Sequence, residues 1–199
     1  MRPLFLAKTM VCSLAVFLCG AAAASATGVI PLSFDEIAGR AGAIALVETV
    51  RVRSDWRTSP QGKHIVTVVT FKVERTIKGQ VGQQLEVEFL GGAIGGLVMD
   101  VDGMPQFRAG DRDVLFLSPN RNSVAPIVGL FQGRFRVERD RAAGTERILT
   151  HSGAPFLPAS AGIRTLLSAP LRSPGRSLSY SQFESLVVQT LAQSTPATR

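Results

Sequence analysis

The glycine-rich run from Gly91 to Gly96 is the first place in this sequence to look for chemistry. Glycine loops bind phosphate where they join a strand to the N-terminus of a helix. Here the following segment, Leu97–Val101, is typical of a strand, and the spacing fits neither the dinucleotide fingerprint nor the P-loop. The run therefore predicts a flexible or closely packed connection between strands, or a loop that the backbone of a partner can approach.

Residue types that bind metals or act as nucleophiles are present, but without the spacing that such chemistry needs. Asp100 and Asp102 begin like a calcium loop, yet the longer acidic run with its closing glutamate does not follow. His64 and His151 fall on different predicted strands, and the sequence has no Gly-x-Ser-x-Gly motif. We therefore predict no metal and no cofactor, and a binding role over an enzymatic one.

Trp56 stands alone in a polar stretch that we predict to be the loop between the first two long strands. A tryptophan at that place either covers the end of a barrel or anchors a partner, since tryptophan is enriched at binding hot spots. Ile94 adds an apolar tip in the middle of the glycine run. We predict a partner-contacting region made of Trp56, Gly91, Gly92, Ile94, Gly95 and Gly96.

The first 26 residues have the pattern of an export signal. A basic start and an apolar stretch, Met10–Leu18, precede Ala24-Ser25-Ala26, the small-x-small pattern of a cleavage site. We expect cleavage near Ala26 and a periplasmic or secreted protein without a stable membrane span. A retained anchor and lipidation at Cys19 are the alternatives, although the run is short for a span and a large leucine precedes the cysteine.

Composition fits one exported domain that is stabilised by packing. Both cysteines, Cys12 and Cys19, lie in the predicted signal, so we expect no disulfide after processing. Loss of Arg2 and Lys8 with the signal lowers the formal net charge of +7 by two. The remaining positive charge is spread along the chain and forms no nucleic-acid recognition motif, so we predict no nucleic-acid partner. It indicates a solvated surface or attraction to anionic envelope components.

Seven predicted strands must position the residues named so far. In the clearest, His64–Arg75, apolar residues alternate with polar ones, and Gly/Pro-rich turns separate the strands. The alternation predicts one buried face formed by Val69, Phe71, Val73, Leu85, Val87, Phe89, Leu115 and Leu117. The other predicted strands are Ala43–Arg53, Leu85–Phe89, Leu97–Val101, Val114–Leu117, Phe131–Glu138 and Arg147–His151.

Two short helices should flank these strands. Ser33 with Glu36, and Ser179 with Gln182, fit the capping box that begins a helix. Because no strand alternates with a helix, we predict a mainly β fold, a small antiparallel OB-like barrel or sandwich. The predicted order is signal peptide 1–26, β-barrel domain 27–152, Pro-rich connection 153–178, C-terminal helix 179–193 and disordered tail 194–199.

The order of segments also carries a family resemblance. Ala41–Val47, Val69–Gly79, Phe107–Arg112 and Val114–Leu117 follow a rhythm of strand, Lys-Gly, strand, Phe-x-x-Gly, strand. Residues 33–138 thereby resemble a group of uncharacterised exported bacterial proteins and, more distantly, netrin-like and tissue-inhibitor-of-metalloproteinase modules, which implies an OB-type five-stranded barrel. Those inhibitors bind zinc through an N-terminal cysteine. The predicted N-terminus here begins at Thr27, so the resemblance does not imply that mechanism.

The sequence thus predicts an exported, non-catalytic binding or accessory module of the bacterial envelope or medium, with an exported protein as its partner. An envelope hydrolase with carboxylates that converge only in the fold, and a structural envelope protein, are the alternatives. A cleft with two carboxylates near a common point would favour the hydrolase. An exposed apolar patch beside the glycine run would favour binding.

Overall fold

A computed structural model describes residues 29–60, 62–121, 125–140, 144–157 and 178–194. Its contacts separate residues up to Ile30 from those that begin at Pro31, and the latter form one compact unit. The predicted signal peptide lies outside the described residues. So do most of the predicted Pro-rich connection and residues 195–199 of the predicted tail.

The compact unit is mainly β, with one helix near each end. In chain order its elements are α1 (Phe34–Arg40), β1 (Ala43–Ser59), β2 (Gly62–Lys78), β3 (Gln84–Leu90), β4 (Gly92–Ile94), β5 (Leu97–Met99), β6 (Arg112–Leu117), β7 (Arg134–Asp140), β8 (Thr145–Thr150) and α2 (Tyr180–Ser194). The predicted class, antiparallel strands with an N-terminal and a C-terminal helix, is confirmed. No described helix is long and apolar enough to cross a membrane.

Six strands form one antiparallel sheet in the order β3-β2-β1-β6-β7-β8, and β4 and β5 form a separate hairpin. The sheet has two edges, β3 and β8. Within the described part of the chain no pairing joins these edges into a closed barrel. The described strands therefore form an open antiparallel sheet, and the OB-like barrel stays a prediction.

The ribbon of β1 and β2 is longer than the sequence pattern predicted. It extends to a last pair between Ser59 and Gly62, beyond the predicted ends at Arg53 and His64. Apart from Gly62 and Trp56 the extra residues are polar, and all of them are exposed or half-buried, so hydrophobic alternation does not mark them. One consequence is a correction: Trp56 lies within β1, paired with Ile65, and not in a loop between strands.

Each face of the sheet carries its own apolar cluster. Ile44 and Leu46 of β1 face a cluster under α1 and α2, which we call the helix-side core. Ala45 and Val47 face the opposite cluster, the loop-side core, which also contains Phe107 from the segment before β6. Seven of the eight predicted core residues lie in the loop-side core and Val73 packs at its margin, so this prediction is confirmed.

Both predicted capping boxes are present. The Ser33 hydroxyl accepts from the Glu36 amide at 3.3 Å, and the Glu36 carboxylate accepts from the Ser33 amide at 2.9 Å. Ser179 and Gln182 make the same reciprocal pair, at 3.3 and 3.0 Å. These caps satisfy backbone donors that a helix start otherwise leaves unpaired, and so fix where each helix begins on the sheet.

Candidate binding cleft

The glycine run folds into a tight hairpin. Gly92–Ile94 pairs with Leu97–Met99, and Gly95 and Gly96 form the turn with φ of 56° and 83°. Positive φ at both central residues is the requirement of a type I′ turn, which glycine meets without strain. Because a strand and not a helix follows the run, the arrangement needed to bind a phosphate is missing here.

This hairpin is tied to one face of the β1–β2 ribbon. The Gly91 amide donates to the Ile65 carbonyl at 2.9 Å, and the Thr67 hydroxyl donates to the Gly91 carbonyl at 2.8 Å. The Ala93 amide donates to the Ser54 hydroxyl at 3.2 Å. A Cβ on Gly92 would lie only 2.7 Å from the Ser54 Oγ, so close packing against side chains of β1 and β2 explains that glycine.

The six predicted contact residues lie on the same side of the ribbon. Trp56 lies two residues after Ser54 in β1, and residues two apart in a strand point to the same face. Trp56 therefore shares the face on which the hairpin docks. Its cross-strand partner, Ile65, lies 3.2 Å from the position of a Gly92 Cβ. Ile94 is half-buried. The most exposed apolar residue of the hairpin is Val98, at 75% exposure, which sequence reasoning missed.

An apolar cleft of about 310 Å³ opens between the hairpin and the segment that leads to β6. The buried rings of Phe89 and Phe107, whose centroids are 5.1 Å apart, form its floor as an extension of the loop-side core. Val52, at 38% exposure, and Val98 stand at its rim. Its other lining residues are Thr67, Leu90, Gly91, Gly92, Ala93, Asp100, Val101, Met104, Pro105 and Gln106.

A buried arginine holds the wall of this cleft. Arg134 donates to the Gln106 carbonyl, and its guanidinium carbon lies 4.0 Å above the Phe107 ring. It also donates to both oxygens of Asp113, at 2.8 and 3.0 Å, and to Asp111 at 3.2 Å. Burial raises the pKa of Asp113, and Arg134 opposes that rise because it stabilises the carboxylate. Arg134 of β7 therefore connects β6, through its ion pair with Asp113, to the wall of the cleft, through its bond to Gln106.

The carboxylates do not form an acid–base pair in the cleft. Asp100 is the one carboxylate among the described lining residues. Asp111 and Asp113 converge on Arg134, but Asp113 has 0% exposure and its oxygens are occupied by the guanidinium. Within the described ranges no group of three or more His, Cys, Asp or Glu side chains is arranged to hold a metal ion.

The two histidines lie apart from the cleft lining. His64 belongs to β2, paired with Arg57. His151 follows β8 and stacks on Phe131, with 4.1 Å between ring centroids. Burial, and secondarily Arg134, lowers the pKa of His151, which favours the neutral imidazole. Neither histidine is placed to act on something bound between Phe89 and Val98.

Most of the cleft could not be located from the sequence. Val52 and Val98 are ordinary strand valines in the sequence, and only the docking of the hairpin brings them to one rim.

Comparison with models of protein families, with curated proteins and with solved structures found no match. What the protein does must therefore be argued from the geometry of this cleft.

Proposed function

We propose that the protein is an exported, non-catalytic binding module of the bacterial envelope or medium, and that it takes an apolar part of a protein partner into the cleft. The observation that carries the proposal is the exposure of Val98 and Val52 beside a floor of buried aromatic rings. Apolar surface exposed to water is unfavourable, and the free energy of the system falls when a partner covers that surface. The volume suits a few side chains and lies at the lower end of small-molecule sites.

The same observations weigh against the two alternatives. A hydrolase of the predicted kind needs two carboxylates near a common point, whereas one described carboxylate, Asp100, lines the cleft. A purely structural role gives no reason for an exposed apolar rim. An OB-like relationship belongs to this proposal as well, supported by the contiguous β3-β2-β1 order and by a cleft on one face of those strands.

A matched pair of valine substitutions tests the proposal. Val98→Asp places a charge on the cleft rim, and Val188→Asp places one on α2, where the valine is 53% exposed. Both sites are at the surface, so we expect melting temperatures close to that of the unaltered protein. Capture from native periplasm or medium, read by mass spectrometry, should lose its partner with Val98→Asp alone. An identical captured set for both variants would contradict a role for the cleft.

A further inference from the structure

Among the described strands, β3 has a neighbour on one side only, and its other backbone edge lies beside the cleft. The bonds from the Val73 amide to the Gln83 carbonyl and from the Gly91 amide to the Ile65 carbonyl, both 2.9 Å, set the phase of the β2–β3 ladder. In an antiparallel ladder such bonds recur at every second residue, so Leu85, Val87 and Phe89 direct their backbone groups at β2. Gln84, Glu86, Glu88 and Leu90 direct theirs outward, where the described residues supply no further strand.

The side chains of β3 are divided between its two faces. Leu85, Val87 and Phe89 are buried in the loop-side core, while Glu86 is exposed on the other face. Phe89 and Leu90, at the end of the strand, also line the cleft. A peptide that paired along this edge would therefore lead into the cleft, with every second side chain on the apolar face.

Charge on the other face favours a particular kind of peptide. Glu86 pairs with Arg53 at 3.2 Å and Glu88 pairs with Arg57, and both arginines also contact Asp55. β3 itself carries two carboxylates and no cation, whereas the arginines that contact them lie on β1, two strands away from the β3 edge. A basic side chain opposite Glu86 or Glu88 would be favourable. Lys72, the next cation on the neighbouring strand, lies at the far end opposite Gln84.

The same charges disfavour a second copy of this chain as the occupant. Antiparallel pairing of β3 with itself about Val87 would place Glu86 opposite Glu88 of the other copy, and like charges directly opposite one another are destabilising. Edge carboxylates of this kind are a common protection against self-pairing. They disfavour an identical acidic edge and favour a basic strand.

We propose that β3 accepts an extended peptide of the partner as an additional strand, in which apolar residues alternate with lysine or arginine. This rests on the proposed function, since it names the chemistry of that protein partner. Backbone hydrogen bonds to Glu86, Glu88 and Leu90 would supply affinity, and the apolar side chains would enter the loop-side face and the cleft.

A synthetic nine-residue peptide of alternating valine and lysine, with blocked ends, is the probe. Hydrogen exchange of the full chain should show new protection at the amides of Glu86, Glu88 and Leu90, while those of Leu85 and Val87 stay slow with and without the peptide. A valine–glutamate peptide of equal length should bind at least about tenfold more weakly. No protection at millimolar valine–lysine peptide overturns the proposal.

Two substitutions at one position separate backbone pairing from charge. Glu86→Pro removes an outward N–H that makes no bond to β2, and proline is tolerated on edge strands of this kind. Glu86→Ala removes the carboxylate and keeps the N–H. Valine–lysine peptide binding should fall by about tenfold or more with Glu86→Pro and only a few-fold with Glu86→Ala. Equal binding by both variants overturns strand addition.

N-methylation of alternate peptide amides tests the same hydrogen bonds on the unaltered protein, so a folding defect of Glu86→Pro does not prevent a decision. The two proposals also fail separately. Native capture that is lost with Val98→Asp but retained with Glu86→Pro keeps the cleft and overturns strand addition. Capture that is insensitive to Val98→Asp, together with the expected peptide results, overturns the cleft and keeps the β3 edge.

Discussion

The two apolar cores of this molecule are closed in different ways. On the helix side, α1 and α2 cover the sheet, and Phe34 and Phe183 meet the sheet rings Phe116 and Phe135 with centroids about 5–6 Å apart. On the loop side no helix covers the sheet within the described residues. Phe107 and the hairpin close that core in part, and the cleft remains where they stop.

This difference underlies the proposed division of tasks between the two faces. Side chains that are packed on all sides stabilise the fold, and capped helices fix that packing in place. A face closed by a hairpin and an irregular segment leaves part of its apolar surface in reach of a partner. The shared sheet between them means that a substitution can be placed on one side and its effect measured on the other.

The largest expected effects come from truncating one fully buried ring on each side. Phe183→Ala and Phe71→Ala should each lower the free energy of unfolding by about 3–5 kcal/mol, since each removes a buried ring and leaves a cavity. Only Phe71→Ala should also weaken binding at the cleft, because the Phe71 ring supports Phe107 at 5.1 Å. Denaturant melts measure the first effect. A loss under about 1 kcal/mol at either position would show that the packing is wrong.

A smaller effect distinguishes the glycines of the hairpin. Gly92→Ala should cost about 1–3 kcal/mol, because φ is 141° and the added Cβ would meet Ser54 and Thr67. Gly95→Asn should change stability by less than about 0.5 kcal/mol, since its site is open and Asn-Gly suits a type I′ turn. Thermal melts of both variants provide the comparison. Equal losses would mean that the hairpin does not dock on β1 and β2.

The smallest effect is a pH dependence on the helix side. His151 borders a cavity of about 390 Å³ beside Phe34 and Phe135, and its pKa is lowered in the folded protein. Because the pKa of this histidine is lower in the folded state, the unfolded state binds a proton first as the pH falls. The free energy of unfolding is therefore highest above the unfolded-state pKa and decreases as the pH falls toward the folded-state pKa. Between about pH 7.5 and 5, His151→Gln should therefore lose less stability than the unaltered protein. Parallel slopes in urea melts would contradict this.

Local patterns in the sequence located both described helices and seven of the eight described strands, while β4 was predicted as a connection. Alternation along β2 and β3 identified the buried face that contains Phe71 and Val87, and the capping boxes located the starts of both helices. These signals depend only on neighbours in sequence, which is why they can be read there. Polar ends of the β1–β2 ribbon carry no such signal, and the placement of Trp56 was wrong for that reason.

The cleft depends on contacts between distant residues. Arg134 and Asp113 are 21 positions apart, and no spacing rule predicts that this arginine, among many, is buried beside Phe107. The glycine run was singled out by its composition, but no signal in the sequence indicated that Gly92 packs against Ser54. Whether a partner uses the region stays a prediction.

Under the proposed binding role, Arg134 has a consequence for the kinetics of association. Displacing the segment around Gln106 would remove a carbonyl acceptor from a buried guanidinium, which makes spontaneous opening of that wall costly. The wall is therefore set before any encounter, and a partner need not wait for a slow rearrangement. The on-rate should then follow collision and orientation, as in rigid docking, and differences in affinity among partners should reside in how long each complex lasts.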